Sequence, residues 1–146
     1  MNQIIPFNAQ DYDKLASIWY RSVCQTHTFL LESDLDYYHR FVQEGGLRAA
    51  ELWVEIDESK EPRGFIGLGG SNIEMLFVDP SHFGQGIGTR LIRHAEAIKG
   101  KALRVDVNEQ NEGGVRFYLR YGFVPTGRSE RDDSGKPYPL LHLELK

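Results

Sequence analysis

Several things are scarce in this sequence, and each scarcity excludes a class of protein. There is one cysteine, Cys24, in 146 residues. No intrachain disulfide can form, and a Cys/His zinc site or any other metal site is not expected. Apolar runs are only a few residues long, far short of the ~20 residues that span a bilayer. Basic charge is not in excess. Lys and Arg total 17 against 21 Asp and Glu, a net charge of −4, so nonspecific binding of nucleic acid is not expected. The first residues, Met1-Asn2-Gln3-Ile4-Ile5-Pro6, have neither a charged n-region nor an apolar h-region. No secretory signal is visible, and a cytoplasmic protein without membrane attachment is expected. Repeats, low-complexity tracts and linker-like stretches are also lacking, so residues 1–146 read as one domain.

What is present suits a folded core. Apolar residues make up 40% of the chain, and it holds 8 Phe, 7 Tyr and 2 Trp. A short strand, Ile4-Ile5-Pro6-Phe7, comes first, and its proline favours a sheet edge. Asn8 reads as the N-cap of a helix with Leu15, Ile18, Trp19 and Val23 on one stripe. The period breaks near residues 26–31. Ser33 reads as the cap of a second helix carrying Leu35, Tyr38 and Val42, which Gly45-Gly46 ends. Strands at 52–56, 64–68 and 73–78, joined by short polar or glycine turns, read as an antiparallel meander. A helix with Ile87, Leu91, Ala95 and Ile98 follows and stops at Gly100. Next come a strand at 103–107 and a helix capped by Asn111, carrying Val115, Tyr118 and Leu119 and closed by Gly122. Two further strands begin at Phe123 and Leu140, on either side of a polar loop. The class is α/β (α+β) with a mixed sheet of about seven strands.

The most informative segment lies between the third meander strand and the following helix. Asp79-Pro80 stops the strand, and Gly84, Gly86 and Gly88 alternate into the helix start. Glycines without Cβ let backbone N–H groups approach a ligand closely. The first N–H groups of a helix lack intrahelical partners and sit at the positive end of its dipole. The combination suits a phosphate or pyrophosphate. The loop lacks the Lys-Ser/Thr ending of a Walker A sequence, which argues against an NTPase. A shortened Rossmann fingerprint stays open, with Asp106 about 20 residues on. However, its third glycine would fall on Thr89, and a Rossmann unit should open the domain.

Two motifs resemble the GNAT N-acetyltransferase superfamily. Its signature Arg/Gln-x-x-Gly-x-Gly/Ala corresponds to Phe83-Gly84-Gln85-Gly86-Ile87-Gly88, with Phe83 in place of the leading Arg or Gln. Its Asn-x-x-Ala-x-x-Phe-Tyr corresponds to Asn111-Glu112-Gly113-Gly114-Val115-Arg116-Phe117-Tyr118, followed by Gly122-Phe123. The order of elements matches along the whole chain. The stretches Val107-Asn108-Glu109-Gln110-Asn111-Glu112 and Thr126-Gly127-Arg128-Ser129-Glu130 are similar to a bacterial subgroup, the YjaB-like acetyltransferases. The resemblance implies acetyl-CoA as co-substrate, held between two splayed parallel strands. Its pyrophosphate would lie on the amides of Gly84, Gln85, Gly86, Ile87, Gly88 and Thr89. Its pantetheine arm would pair with the backbone of Leu76, Phe77 and Val78, and Asn111 and Tyr118 would line the thiol end.

Within that resemblance, the implied reaction is direct attack of a primary amine on the thioester in a ternary complex. A lysine-type amine with a pKa of ~10.4 must first lose a proton, which costs roughly 4–5 kcal/mol at pH 7. Glu74 is one candidate base, because strict alternation places it on the face of Leu76 and Val78. His27, in the break after the first helix, is the other. Tyr118 is the candidate general acid for the departing thiolate, since phenol and thiol pKa values lie close together. His27, Phe29, Leu30, Arg128 and Tyr138 are expected to bind the acceptor, with Ser129 and His142 in the same region. The acceptor, a small-molecule or protein amine, stays open, and a homodimer is compatible with the sequence. A non-catalytic acyl-CoA-binding relative is the alternative, favoured by Phe83 and Gly114.

Overall fold

The computed structural model describes residues 2–100 and 102–145. The chain opens with β1 (Gln3–Pro6), α1 (Tyr12–Thr26) and α2 (Glu32–Gln43). The meander is β2 (Glu51–Ile56), β3 (Pro62–Gly69) and β4 (Asn72–Val78). Then come α3 (Ile87–Lys99), β5 (Arg104–Asn108), α4 (Glu112–Tyr121), β6 (Phe123–Ser129) and β7 (Leu140–Leu145). The strands make one sheet in the order β1-β2-β3-β4-β5-β7-β6. Among the described residues, only β4 and β5 pair in parallel. The expected mixed sheet of seven strands is therefore present, and β1 with Pro6 lies at its edge.

Alternation along the strands sorts side chains to two faces. Leu52, Val54 and Phe65 pack beneath α1, whose Leu15, Ile18, Trp19 and Val23 are all buried. On the other face Ile66, Leu68 and Val105 pack against Leu91, Ile92 and Ala95 of α3 and Tyr118 of α4. Each fully buried aliphatic chain contributes roughly 1.5–3 kcal/mol relative to exposure. The sheet is therefore clamped from both sides, and its strand ends are free to carry a site.

Helix ends and stripes depart from the sequence reading in four places. Asn8 caps a single 3-10 turn, accepting the Gln10 N–H at 3.0 Å, and α1 begins only after that turn. Leu31, not Ser33, holds the N-cap position of α2, which already begins at Glu32. Leu119 is 43% exposed, because Phe117, Tyr118 and Tyr121 form the inward face of α4 and rotate it outward. Ile98, in the last turn of α3, is 42% exposed, while Ile92 is fully buried.

Two irregularities at the sheet centre position the site. Leu68 pairs with Ile73 and Gly67 with Met75, so Glu74 is the extra residue of a bulge in β4. The bulge interrupts alternation. Ile73, Leu76 and Val78 all reach the α3 face, and Glu74 does not share it, contrary to strict alternation. The second irregularity is the parting of β4 and β5. They pair only at Asn72 with Arg104 and Ile73 with Val105, although β4 runs on to Val78 and β5 to Asn108.

Candidate active site

A cavity of about 970 Å³ opens where β4 and β5 part, between the start of α3, α4 and the end of α1. Leu76, Phe77, Val78, Gly84, Gly86, Ile87, Gly88, Thr89, Asn111 and Tyr118 line it. Gly84 and Gly86 adopt φ of 79° and 80°, in the left-handed region that side chains disfavour. No side chain caps the start of α3, so its first N–H groups are left for a ligand. At Gly88 an added Cβ would come within 3.1 Å of Phe117 Cζ. The bare Cα lets α3 and α4 close together at this end. The cradle thus suits a diphosphate, and the strand edge beyond Ile73 suits an extended polar chain.

Buried charges fix the loop in place. Arg90 Nη1 donates to the Gln85 carbonyl at 2.9 Å. Its Nε and Nη2 hold Glu55 at 2.9 and 2.7 Å, and Glu55 is only 1% exposed. Gln85 therefore turns its carbonyl to Arg90 and does not line the cavity. Upstream, Asp79 is buried and accepts from Arg21 Nη1 at 2.7 Å and from the Ser81 N–H at 3.0 Å. Burial opposes ionisation of Asp79, but the Arg21 and Ser81 hydrogen bonds hold its carboxyl below the usual range.

At the inner end, Tyr118 is 7% exposed, with its ring edge-on to Phe117 and Phe123 at 5.3 and 5.4 Å. Burial raises its pKa, so the phenol keeps its proton at neutral pH. Asn111 caps α4 by accepting the Gly114 N–H at 3.1 Å. Arg93 and Arg120 also line the cavity, and the sequence reading missed both. Arg93 lies one turn after Thr89, and Arg120 three residues after Phe117. This helical spacing from residues already at the site was the available signal.

A second cavity, about 630 Å³, lies on the α1 and α2 side of the sheet. His27, Leu30, Tyr38, Glu74, Asp106 and His142 are among its walls. It carries the carboxylates of Glu74, Asp106, Asp132, Asp133 and Glu144 against the single guanidinium of Arg104. Phe29 and Tyr138 stand behind this wall, and Arg128 does not line it. Phe29 packs between His27 and Tyr138. The Tyr138 hydroxyl donates to Asp34 and accepts the Leu31 N–H at 3.1 Å. Arg128 pairs with Glu109 at 2.7 Å on the exposed surface. The loop after β6 is stapled to α2 by Lys136 on Asp34 at 3.0 Å and by the Tyr38 hydroxyl on Asp132.

His27 and Phe77 line both cavities. The Thr26 hydroxyl donates its one proton to the Ser22 carbonyl at 2.9 Å. Its oxygen must then accept from His27 Nδ1 at 2.7 Å, which leaves His27 Nε2 unprotonated. Burial lowers the His27 pKa to about 4, against an opposing hydrogen bond to Asn108. The ring is therefore neutral at the junction.

Comparison with known proteins agrees with this geometry. A sequence profile of the GNAT acetyltransferase domain matches residues 48–125. The peptidyl-lysine N-acetyltransferase YjaB of Salmonella typhimurium is 46% identical over 134 residues, covering 92% of this chain and 91% of that protein. The solution structure of apo YjaB from Escherichia coli superposes with a TM-score of 0.90 at 40% identity, covering 99% of this chain and 97% of that one. The PaiA N-acetyltransferase of Thermoplasma acidophilum, solved in complex with coenzyme A, shares the fold at a TM-score of 0.77 and 19% identity, covering 100% and 99%. A glycine cradle at a strand parting, a matching profile and a relative of nearly equal length agree. The chain belongs to the GNAT family, and it is an N-acetyltransferase whose co-substrate is acetyl-CoA.

Proposed function

We propose that the protein acetylates the ε-amine of lysine side chains in other proteins, by direct attack in a ternary complex. The observation that carries this reading is the meeting of two cavities of opposite character at His27 and Phe77. The glycine side offers backbone N–H donors with Arg93 and Arg120, which suits phosphates. The opposite side is dominated by carboxylates, which attract a cationic side chain. The YjaB relative is named as a peptidyl-lysine N-acetyltransferase, and that acceptor fits an acidic cavity.

When bound, acetyl-CoA supplies the activated acetyl thioester. The amides of Gly84 and of residues 86–89 and the edge of Leu76, Phe77 and Val78 bind and orient it, with Asn111 at the thiol end. Tyr118 holds a proton at Oη and gives it to the departing sulfur. Its raised pKa does not prevent this, because the same dry surroundings also raise the pKa of a thiol. Glu74, brought to the acidic cavity by its bulge, holds the incoming ammonium by charge. His27, at about 4, lies about 6 units below a lysine ammonium. Proton transfer to it would cost about 9 kcal/mol, so His27 acts as a neutral wall and hydrogen-bond partner.

The test is incubation with acetyl-CoA and a lysine-containing peptide, beside the same peptide with arginine in place of lysine. The expected result is one acetyl group on the lysine peptide by mass spectrometry and free thiol released in step. Acetyl-CoA binding without product from any lysine peptide would contradict the proposal.

A further inference from the structure

Asp106, His142 and Ser129 come from three adjacent strands and form one connected row. His142 on β7 is directly opposite Asp106 on β5. Its Nδ1 lies 2.6 Å from Asp106 Oδ1, and its Nε2 lies 2.7 Å from Ser129 Oγ. A carboxylate only accepts, so Nδ1 carries the proton and Nε2 offers its lone pair to the Ser129 hydroxyl. This is the arrangement by which a carboxylate fixes an imidazole as a base toward a hydroxyl. Asp106 and His142 line the acidic cavity, and Ser129 is half-buried behind His142, outside the lining itself. The His142 side chain is 33% exposed and that of Asp106 47%, so solvent and an acceptor can both reach this pair.

We propose that Ser129, His142 and Asp106 form a proton relay that deprotonates the acceptor ammonium before it attacks. The proposal rests on the lysine acetyltransferase reading and adds the group that takes the proton. One ammonium proton passes to Ser129 Oγ as the Ser129 hydroxyl proton passes to His142 Nε2. No bond to carbon forms or breaks in this step. The imidazolium is held by Asp106 and afterwards returns its proton to water. Ser129 and His142 handle the proton, and Asp106 is a positioning residue.

The groups that face His142 are mostly acidic. Besides Asp106, β5 contributes Arg104 to the same cavity and β7 contributes Glu144. β4 adds Glu74, the loop after β6 adds Asp132 and Asp133, α2 adds Tyr38, and His27 comes from the residue that follows α1. Carboxylates thus outnumber cations around the relay.

Two measurements test the relay. Nitrogen-15 NMR of histidine-labelled protein is expected to show neutral His142 protonated at Nδ1, with that preference lost in Asp106→Asn. Protonation at Nε2 in the parent protein overturns the relay, whatever the activity. In the lysine-peptide assay, His142→Ala is expected to lower kcat/KM about 10²-fold, to lose the acid limb of the pH profile, and to regain activity on addition of imidazole. Ser129→Ala is expected to lower kcat/KM in the same direction with acetyl-CoA binding intact. An unchanged acid limb with no imidazole rescue contradicts the relay, and so does an acetyl group found on Ser129. Absence of turnover in the parent protein would instead sink the lysine reading, with the tautomer still deciding the geometry.

Discussion

At the scale of single residues, two side chains carry opposite consequences of burial. Tyr118 is an acid kept protonated by its dry surroundings. Tyr118→Phe removes one hydroxyl and keeps the ring packing against Phe117 and Phe123. We expect kcat to fall by roughly 10²–10⁴-fold with the Kd for acetyl-CoA within a factor of two or so, measured by thiol release and calorimetry; an unchanged kcat removes the acid role. His27 is a base kept neutral, with a folded pKa of about 4 against ~6.5 when unfolded. As pH falls below ~6.5 the unfolded chain binds a proton and the folded one does not. Stability is therefore complete above ~6.5 and declines until about pH 4, by up to about 3 kcal/mol. Urea unfolding at pH 7.5 and pH 5 is expected to show this loss in the parent protein and a smaller one in His27→Gln.

At the scale of elements, the glycine loop is held from outside by a buried ion pair. Arg90 on α3 joins Glu55 on β2 to the Gln85 carbonyl. Arg90→Ala leaves a carboxylate that is 1% exposed without its cation, an uncompensated charge that costs about 3–5 kcal/mol. The same variant frees the loop and is expected to weaken acetyl-CoA binding. Arg90→Lys restores little of either, because a lysine cannot make the two-pronged contact. Denaturant midpoints and calorimetric Kd values for both variants check this. None of this tether was legible in the sequence, since Glu55 and Arg90 are 35 residues apart and nothing local links them. The loop itself was legible, because three alternating glycines after a strand have few other uses. Glu74 illustrates the limit from the other side. Its facing depended on a one-residue bulge, and no residue type near it announces where β3 and β4 slip register.

At the scale of the whole molecule, periodicity was enough to read the order of strands and helices, because alternation and helical stripes are local. Leu15, Ile18, Trp19 and Val23 form the buried stripe that their spacing implied. The site was legible only in part. Residues close in sequence to the glycine loop and to Asn111 gather around one cavity. The acidic cavity depends on pairings between β5, β6 and β7 that carry no short-range signal, which is why the Asp106 and His142 contact emerges only from the fold. Phe29 and Tyr138 fall in the right segments but point to a supporting layer, and Arg128 turns to Glu109 on the exposed surface, since a segment's position does not fix its side-chain direction.

The central claim is that the amides of Gly84 and residues 86–89 grip the diphosphate and the parting of β4 and β5 admits the arm that follows it. Titration of nitrogen-15-labelled protein with acetyl-CoA tests it most directly. The account predicts the largest amide shifts at Gly84, Gly86, Gly88 and Thr89, with a second group at Leu76, Phe77 and Val78, all saturating together. Saturable shifts confined to other surfaces, with these amides unmoved, would contradict it.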